Sequence, residues 1–140
     1  MKVLVCGGRR YADRARVFAE LDALALSENP PRDAHGNWVP MPGFTVIHGG
    51  AGAVVTKGGE KIVLGADLLA REWAVCNWVK DEGFLPDWDA HGLAAGPIRN
   101  RRMLEEGKPD LVLAFPGGKG TADMVRQATV AGVRVIEVKE

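Results

Sequence analysis

Hydrophobic positions along the chain fall into two alternating patterns. Short apolar runs at Lys2 to Cys6, Thr45 to His48, Leu111 to Phe115 and Val133 to Val138 read as strands, and the unbroken Leu111 to Phe115 run as one buried on both faces of a parallel sheet. Between them, apolar residues recur every three or four positions. Val17, Phe18, Leu21, Leu24 and Ala25 follow a capping Asp13, and Leu68, Leu69, Trp73, Ala74 and Val79 follow Gly65-Ala66-Asp67; both are helices with one buried face. The second is expected to end near Gly83. Further helices are expected over Pro97 to Glu106, closed by Gly107, and over Thr121 to Ala131, with Thr121 as N-cap. Phe84 to Asp89 reads as a short strand or turn, and Glu28 to Gly43, rich in Pro, Asn, Gly, Asp and His, as a long surface loop.

One stretch departs from this alternation. Ala53 to Thr56 and Lys61 to Leu64 are β-prone and flank Lys57-Gly58-Gly59-Glu60, the pattern of a β-hairpin. The remainder implies right-handed crossovers and a single α/β domain of three layers, residues 1–140, with a mostly parallel sheet of about five strands.

Composition narrows the function classes. The 18 basic and 18 acidic residues give zero net charge, so no broad field attracts nucleic acid or an anionic membrane, and any anionic partner needs a local pocket. The apolar run in MKVLVCGG is too short for a signal peptide or a membrane span; a cytoplasmic protein is expected. Cys6 and Cys76 lack the number and spacing of a disulfide framework or zinc site and read as small buried hydrophobes. Neither a metal nor a cofactor is expected.

The candidate chemistry sits at strand ends. Gly7-Gly8-Arg9, His48-Gly49-Gly50 and Pro116-Gly117-Gly118-Lys119-Gly120-Thr121 each follow an apolar run, and glycine lets backbone amides approach a ligand closely. In parallel α/β sheets the ligand crevice lies beyond the carboxyl ends of the strands, where strand order reverses. The three turns are therefore expected to converge on one crevice, with the helix after the third turning its free N–H groups toward a phosphate. Arg99 and Arg102, three apart on one helix, share a face and could fork onto phosphate oxygens. Asp123 follows the third turn and is the better catalytic candidate, while Asp67 has the matching place on an earlier helix, where it could simply answer the helix dipole. His48 could contact ligand; His35 and His91 fall in loops. Trp73, Trp78 and Trp88 read as packing residues, although an aromatic at a pocket rim could stack on a base. No Gly-x-Gly-x-x-Gly opens the first helix and no Gly-Lys-Ser/Thr triplet occurs, which disfavours NAD-dependent dehydrogenase and kinase chemistry.

The segments VCGGRRYAD, VIHGGA, GADLLAREWA and AGPIRNRRMLEEGKPDLVLAFPGGKGTADMVRQA together resemble the SLOG superfamily of Rossmann-like nucleotide-binding domains, in its YspA-type, YpsA-related branch. That superfamily includes LOG-type phosphoribohydrolases, which use a Pro-Gly-Gly-x-Gly-Thr loop, a following Glu and an Arg on the preceding helix. The resemblance implies that Pro116, Gly117, Gly118, Gly120 and Thr121 cradle phosphate, with Asp123 and Arg99 at the catalytic positions. Asp is one methylene shorter than Glu, so binding is better supported than catalysis. The expected function is thus binding of a nucleotide-like small molecule such as AMP or ADP-ribose, by a homodimer. The alternative is hydrolysis of the N-glycosidic bond of a nucleoside 5′-monophosphate. The Ala53 to Leu64 insertion, where family members run almost directly between motifs, is expected to be a flap or a dimer contact.

Overall fold

A computed structural model describes residues 1–28, 32–37 and 43–139. Its elements, in order, are β1 (Lys2–Cys6), α1 (Arg14–Ser27), β2 (Thr45–His48), β3 (Ala53–Lys57), β4 (Glu60–Leu64), α2 (Ala66–Cys76), β5 (Lys80–Gly83), α3 (Trp88–His91), a 3-10 turn (Gly92–Ala94), α4 (Ala95–Glu105), β6 (Leu111–Ala114), α5 (Lys119–Val130) and β7 (Arg134–Glu137). The main sheet is parallel throughout, with strand order β5-β2-β1-β6-β7. The chain runs outward from β1 to β2 and β5, then returns to build β6 and β7 on the other side. The switch point is therefore between β1 and β6.

Alternation along the central strands feeds two cores. Val3 and Val5 of β1, Val46 of β2 and Leu113 of β6 pack with Val17, Leu21, Leu69 and Trp73 under α1 and α2. Leu4, Cys6, Ile47, Val112 and Ala114 point the other way, onto Met103 of α4 and Met124 of α5. Each large apolar side chain buried this way contributes about 1.5–3 kcal/mol. The expected three-layer α/β domain is thus present, and Ala53 to Leu64 forms the expected antiparallel hairpin, joined in register from Ala53↔Leu64 to Lys57↔Glu60.

Several boundaries differ from the sequence reading. The second helix ends at Cys76 rather than near Gly83, and Lys80–Gly83 is an edge strand that pattern alone misses. The stop comes from Trp78, which takes a left-handed backbone (φ 58°), and the Val79 N–H closes back onto the Ala74 carbonyl; a glycine usually fills this role. The turn after α4 likewise uses Lys108 (φ 50°), not Gly107. Gly107 is small because a side chain there would strike the Met103 carbonyl oxygen and lie 3.0 Å from Ile47 Cδ1. The last helix starts at Lys119, two residues before Thr121, with Gly118 as its N-cap. Cys6 is buried but Cys76 is exposed, because the end of α2 carries it out of the core. Of the described tryptophans only Trp73 is core; Trp78 and Trp88 are 80% and 47% exposed. Within the expected long loop, Asp33 accepts from the His35 and Asn37 amides, while Trp38 and Met41 lie outside the described residues.

Candidate functional site

The turns after β1 and β6 lock together by backbone contact. Gly8 N–H donates to the Pro116 carbonyl at 2.9 Å, and the Gly8 carbonyl accepts from Ala66 N–H at the start of α2. A side chain on Gly7 would strike Ala66 Cβ and Phe115 Cβ at 2.6 and 2.9 Å, and one on Gly117 would lie 2.7 Å from Gly8 N. These glycines are dictated by close packing of the chain on itself. Gly118 and Gly120 differ: a side chain at either position meets nothing within 4 Å, and neither has a positive φ.

Gly118 also leaves the helix start bare. It makes no side-chain cap bond, and the first helix-type amide bond here runs from Ala122 N–H to the Gly118 carbonyl. The N–H groups of Lys119, Gly120 and Thr121 therefore stand among the orphan donors of the first turn, at the positive end of the helix dipole. The outer side of the Pro116–Gly118 loop borders a hollow of about 600 Å³, with Thr121, Arg126 and Glu137 on its wall.

The turn after β2 is held from both sides. Asp67, 5% exposed, accepts from Gly49 and Ala51 N–H at 3.0 and 3.1 Å. Arg99 Nη1 donates to the Gly49 carbonyl at 2.7 Å and to Phe84 O at 3.5 Å, and its Nε donates to Asn100 Oδ1. Burial pushes the Asp67 carboxyl up from its ordinary value, partly offset by the Ala51 amide and the nearby Arg99. Burial pushes the Arg99 guanidinium down, Asp67 draws it back up, and the neighbouring charge of Arg9 lowers it further. The buried Cys6 thiol beneath them is pushed up to about 12, chiefly by burial and next by Asp67, so it stays a thiol at neutral pH.

His48 organises the same turn. Its Nδ1 accepts from Gly50 N–H at 3.1 Å while Nε2 lies 2.9 Å from Asp81 Oδ2, so the ring proton is on Nε2. Arg9 extends from the β1 turn with its guanidinium 5.8 Å from the Trp88 ring centroid. Among the described residues no carboxylate pairs with it. Arg102 lies one turn beyond Arg99, where it donates to Glu106 at 2.9 Å and covers Phe84 at 5.5 Å.

Asp123 has a different setting from the one its position in sequence suggests. Its Oδ2 accepts from Asn100 and Gln127 at 3.0 and 2.8 Å, and its Oδ1 from Arg126 at 2.7 Å. Burial alone would raise this carboxyl, but the three hydrogen bonds outweigh it and hold it below its ordinary value. Asn100, 3% exposed, also donates to the Gly120 carbonyl at 3.2 Å, so Asp123 and Asn100 brace the α5 start against α4. Sequence reasoning missed Asn100; its one signal was its place beside Arg99.

Gly7, Gly8, Arg9, His48, Gly49, Asp67 and Arg99 thus gather at the carboxyl end of the sheet, next to the bare start of α5. The YspA, cpYpsA-related SLOG family model matches residues 1–91, from β1 through α3. The chain belongs to the SLOG family. It is also 36% identical over 147 residues to the Gene 61 protein of Mycobacterium phage D29, spanning 96% of this chain and 94% of that protein. The family match takes in the β1 and β2 turns, Asp67 and Trp88, while Arg99 and the Pro116–Thr121 loop lie beyond it. No described helix is long and apolar enough to cross a membrane.

Proposed function

We propose that the protein binds a nucleotide or nucleotide-derived ligand of the AMP or ADP-ribose kind, as a sensor, carrier or sequestering module. Its phosphate would rest on Pro116 to Thr121, with Arg99 and Arg9 neutralising the charge. The observation that carries this reading is the placing of Arg9, in the turn after β1, and of Arg99, bonded to the turn after the adjacent β2, with the Arg9 charge lowering the Arg99 guanidinium, at the end of the sheet where α5 starts bare. Like charges held together in a neutral protein are relieved by an anion that bridges them. Gly118 and Gly120 add to the case, because no packing contact or positive φ demands their smallness. Membership of the SLOG family points the same way.

Binding without turnover is preferred to hydrolysis of the N-glycosidic bond. Asp123 is already committed to three donors and directed at α4, whereas an oxocarbenium-like transition state needs a carboxylate placed at the sugar. Calorimetry with AMP, ADP-ribose and related nucleotides is the test, with chromatography of each mixture after long incubation. Saturable binding with no released base is expected. Base release that Asp123→Asn abolishes would establish the hydrolase instead, and absence of binding across the panel would remove the reading.

A further inference from the structure

The segment after β5 follows the crevice from the β2 turn to the β1 turn. Phe84 N–H donates to the His48 carbonyl, and its own carbonyl accepts from Arg99. Leu85, 69% exposed, has its Cδ2 2.6 Å from where a side chain on Gly50 would begin. Trp88 then opens α3, which Asp87 caps by accepting from Ala90 N–H at 3.0 Å. The indole lies against α4, with Cη2 3.8 Å from where a Gly96 side chain would begin, and its ring stands 5.8 Å from the Arg9 guanidinium. An apolar wall with a half-exposed indole therefore borders Arg9 at Trp88 and Arg99 at Phe84.

We propose that Trp88 is the platform on which the base of the bound ligand stacks. On this assignment the site requires a nucleotide and discriminates against the bare sugar phosphate. The proposal rests on the nucleotide reading above and adds what the phosphate loop cannot supply. Glycine amides and arginines grip phosphate and leave the rest of the ligand unread, whereas an aromatic face reads a flat ring. The contact of Arg9 with the indole gives the platform a cation on its rim.

Affinities of AMP and ribose 5-phosphate, measured by calorimetry on the intact protein and its variants, test it. The wild type should bind AMP about 10-fold or more tightly than ribose 5-phosphate, the scale of one base–aromatic stack. Trp88→Ala should bring that ratio close to one, and Trp88→Phe should keep most of the preference. Trp78→Ala, at the opposite end of α2, should change neither affinity. Ribose 5-phosphate bound as tightly as AMP by the wild type, or an undiminished preference in Trp88→Ala, overturns the platform and leaves the phosphate site standing. If neither compound binds, and no other nucleotide of the panel does, the nucleotide reading and the platform fall together.

Discussion

Single residues divide into those that the chain needs for its own folding and those it does not. Gly117 belongs to the first kind. Alanine there would press on the Thr121 hydroxyl and on the Gly7–Gly8 backbone, and Gly117→Ala should lower stability by about 1–3 kcal/mol in denaturant unfolding. Gly120 belongs to the second, since it sits inside α5 facing open space. Gly120→Ala should raise stability by up to about 1 kcal/mol and still weaken AMP binding; an unchanged affinity would detach that face of the helix from the ligand. Arg99→Ala should cost about 10-fold or more in AMP affinity, the scale of one charge-assisted hydrogen bond. Asp123 leaves a trace in pH instead. Its folded pKa lies below the ordinary 3.8, so its stabilisation is present above about pH 3.8 and lost as pH falls through the lower folded value. Urea unfolding should show Asp123→Asn with a smaller stability difference between pH 7 and pH 3 than the wild type. Asp67, raised from 3.8, has the opposite sense: its contribution is complete below that value and fades as pH climbs through the folded one.

Elements show what the sequence makes legible and what it hides. The central strands could be read because both faces of β1, β2 and β6 are buried, which writes them as unbroken apolar runs. Edge strand β5 could not: Lys80-Asp81-Glu82-Gly83 has no apolar residue, and its Lys80 and Glu82 side chains pair at 3.2 Å on the solvent side. Charge on an edge strand guards against pairing with other chains, so the feature that suits β5 to its place erases it from hydropathy. The same limit applied at the ends of α2 and α4, where Trp78 and Lys108 take the left-handed positions expected of glycine. The hairpin was legible from its turn. Its two strands are largely exposed, with only Val63 leaning on the core, and Ala53 pairs with Leu64 at its base. Replacing residues 54–63 by a short turn should leave the five-stranded sheet intact, with a melting temperature within a few degrees of the wild type. A collapse of folding would show that β3 and β4 have a structural role in the domain.

For the whole molecule, the site is a property of topology more than of composition. Zero net charge conceals a local concentration of positive charge, made by a strand order that reverses beside β1 and brings Arg9, Arg99 and the start of α5 to one end of the sheet. Each glycine turn was visible in the sequence, and so was Arg99. The structure adds the bracing by Asp67, Asn100 and Asp123, whose hydrogen bonds between elements span 16 to 23 positions, beyond what a local pattern can encode. Titrating AMP into the 15N-labelled protein and following every backbone amide by NMR tests the central claim most directly. The account predicts saturable shifts concentrated at Gly7, Gly8, Gly49, Lys119, Gly120 and Thr121. Shifts confined to other parts of the surface, or no shifts at millimolar AMP, would contradict it.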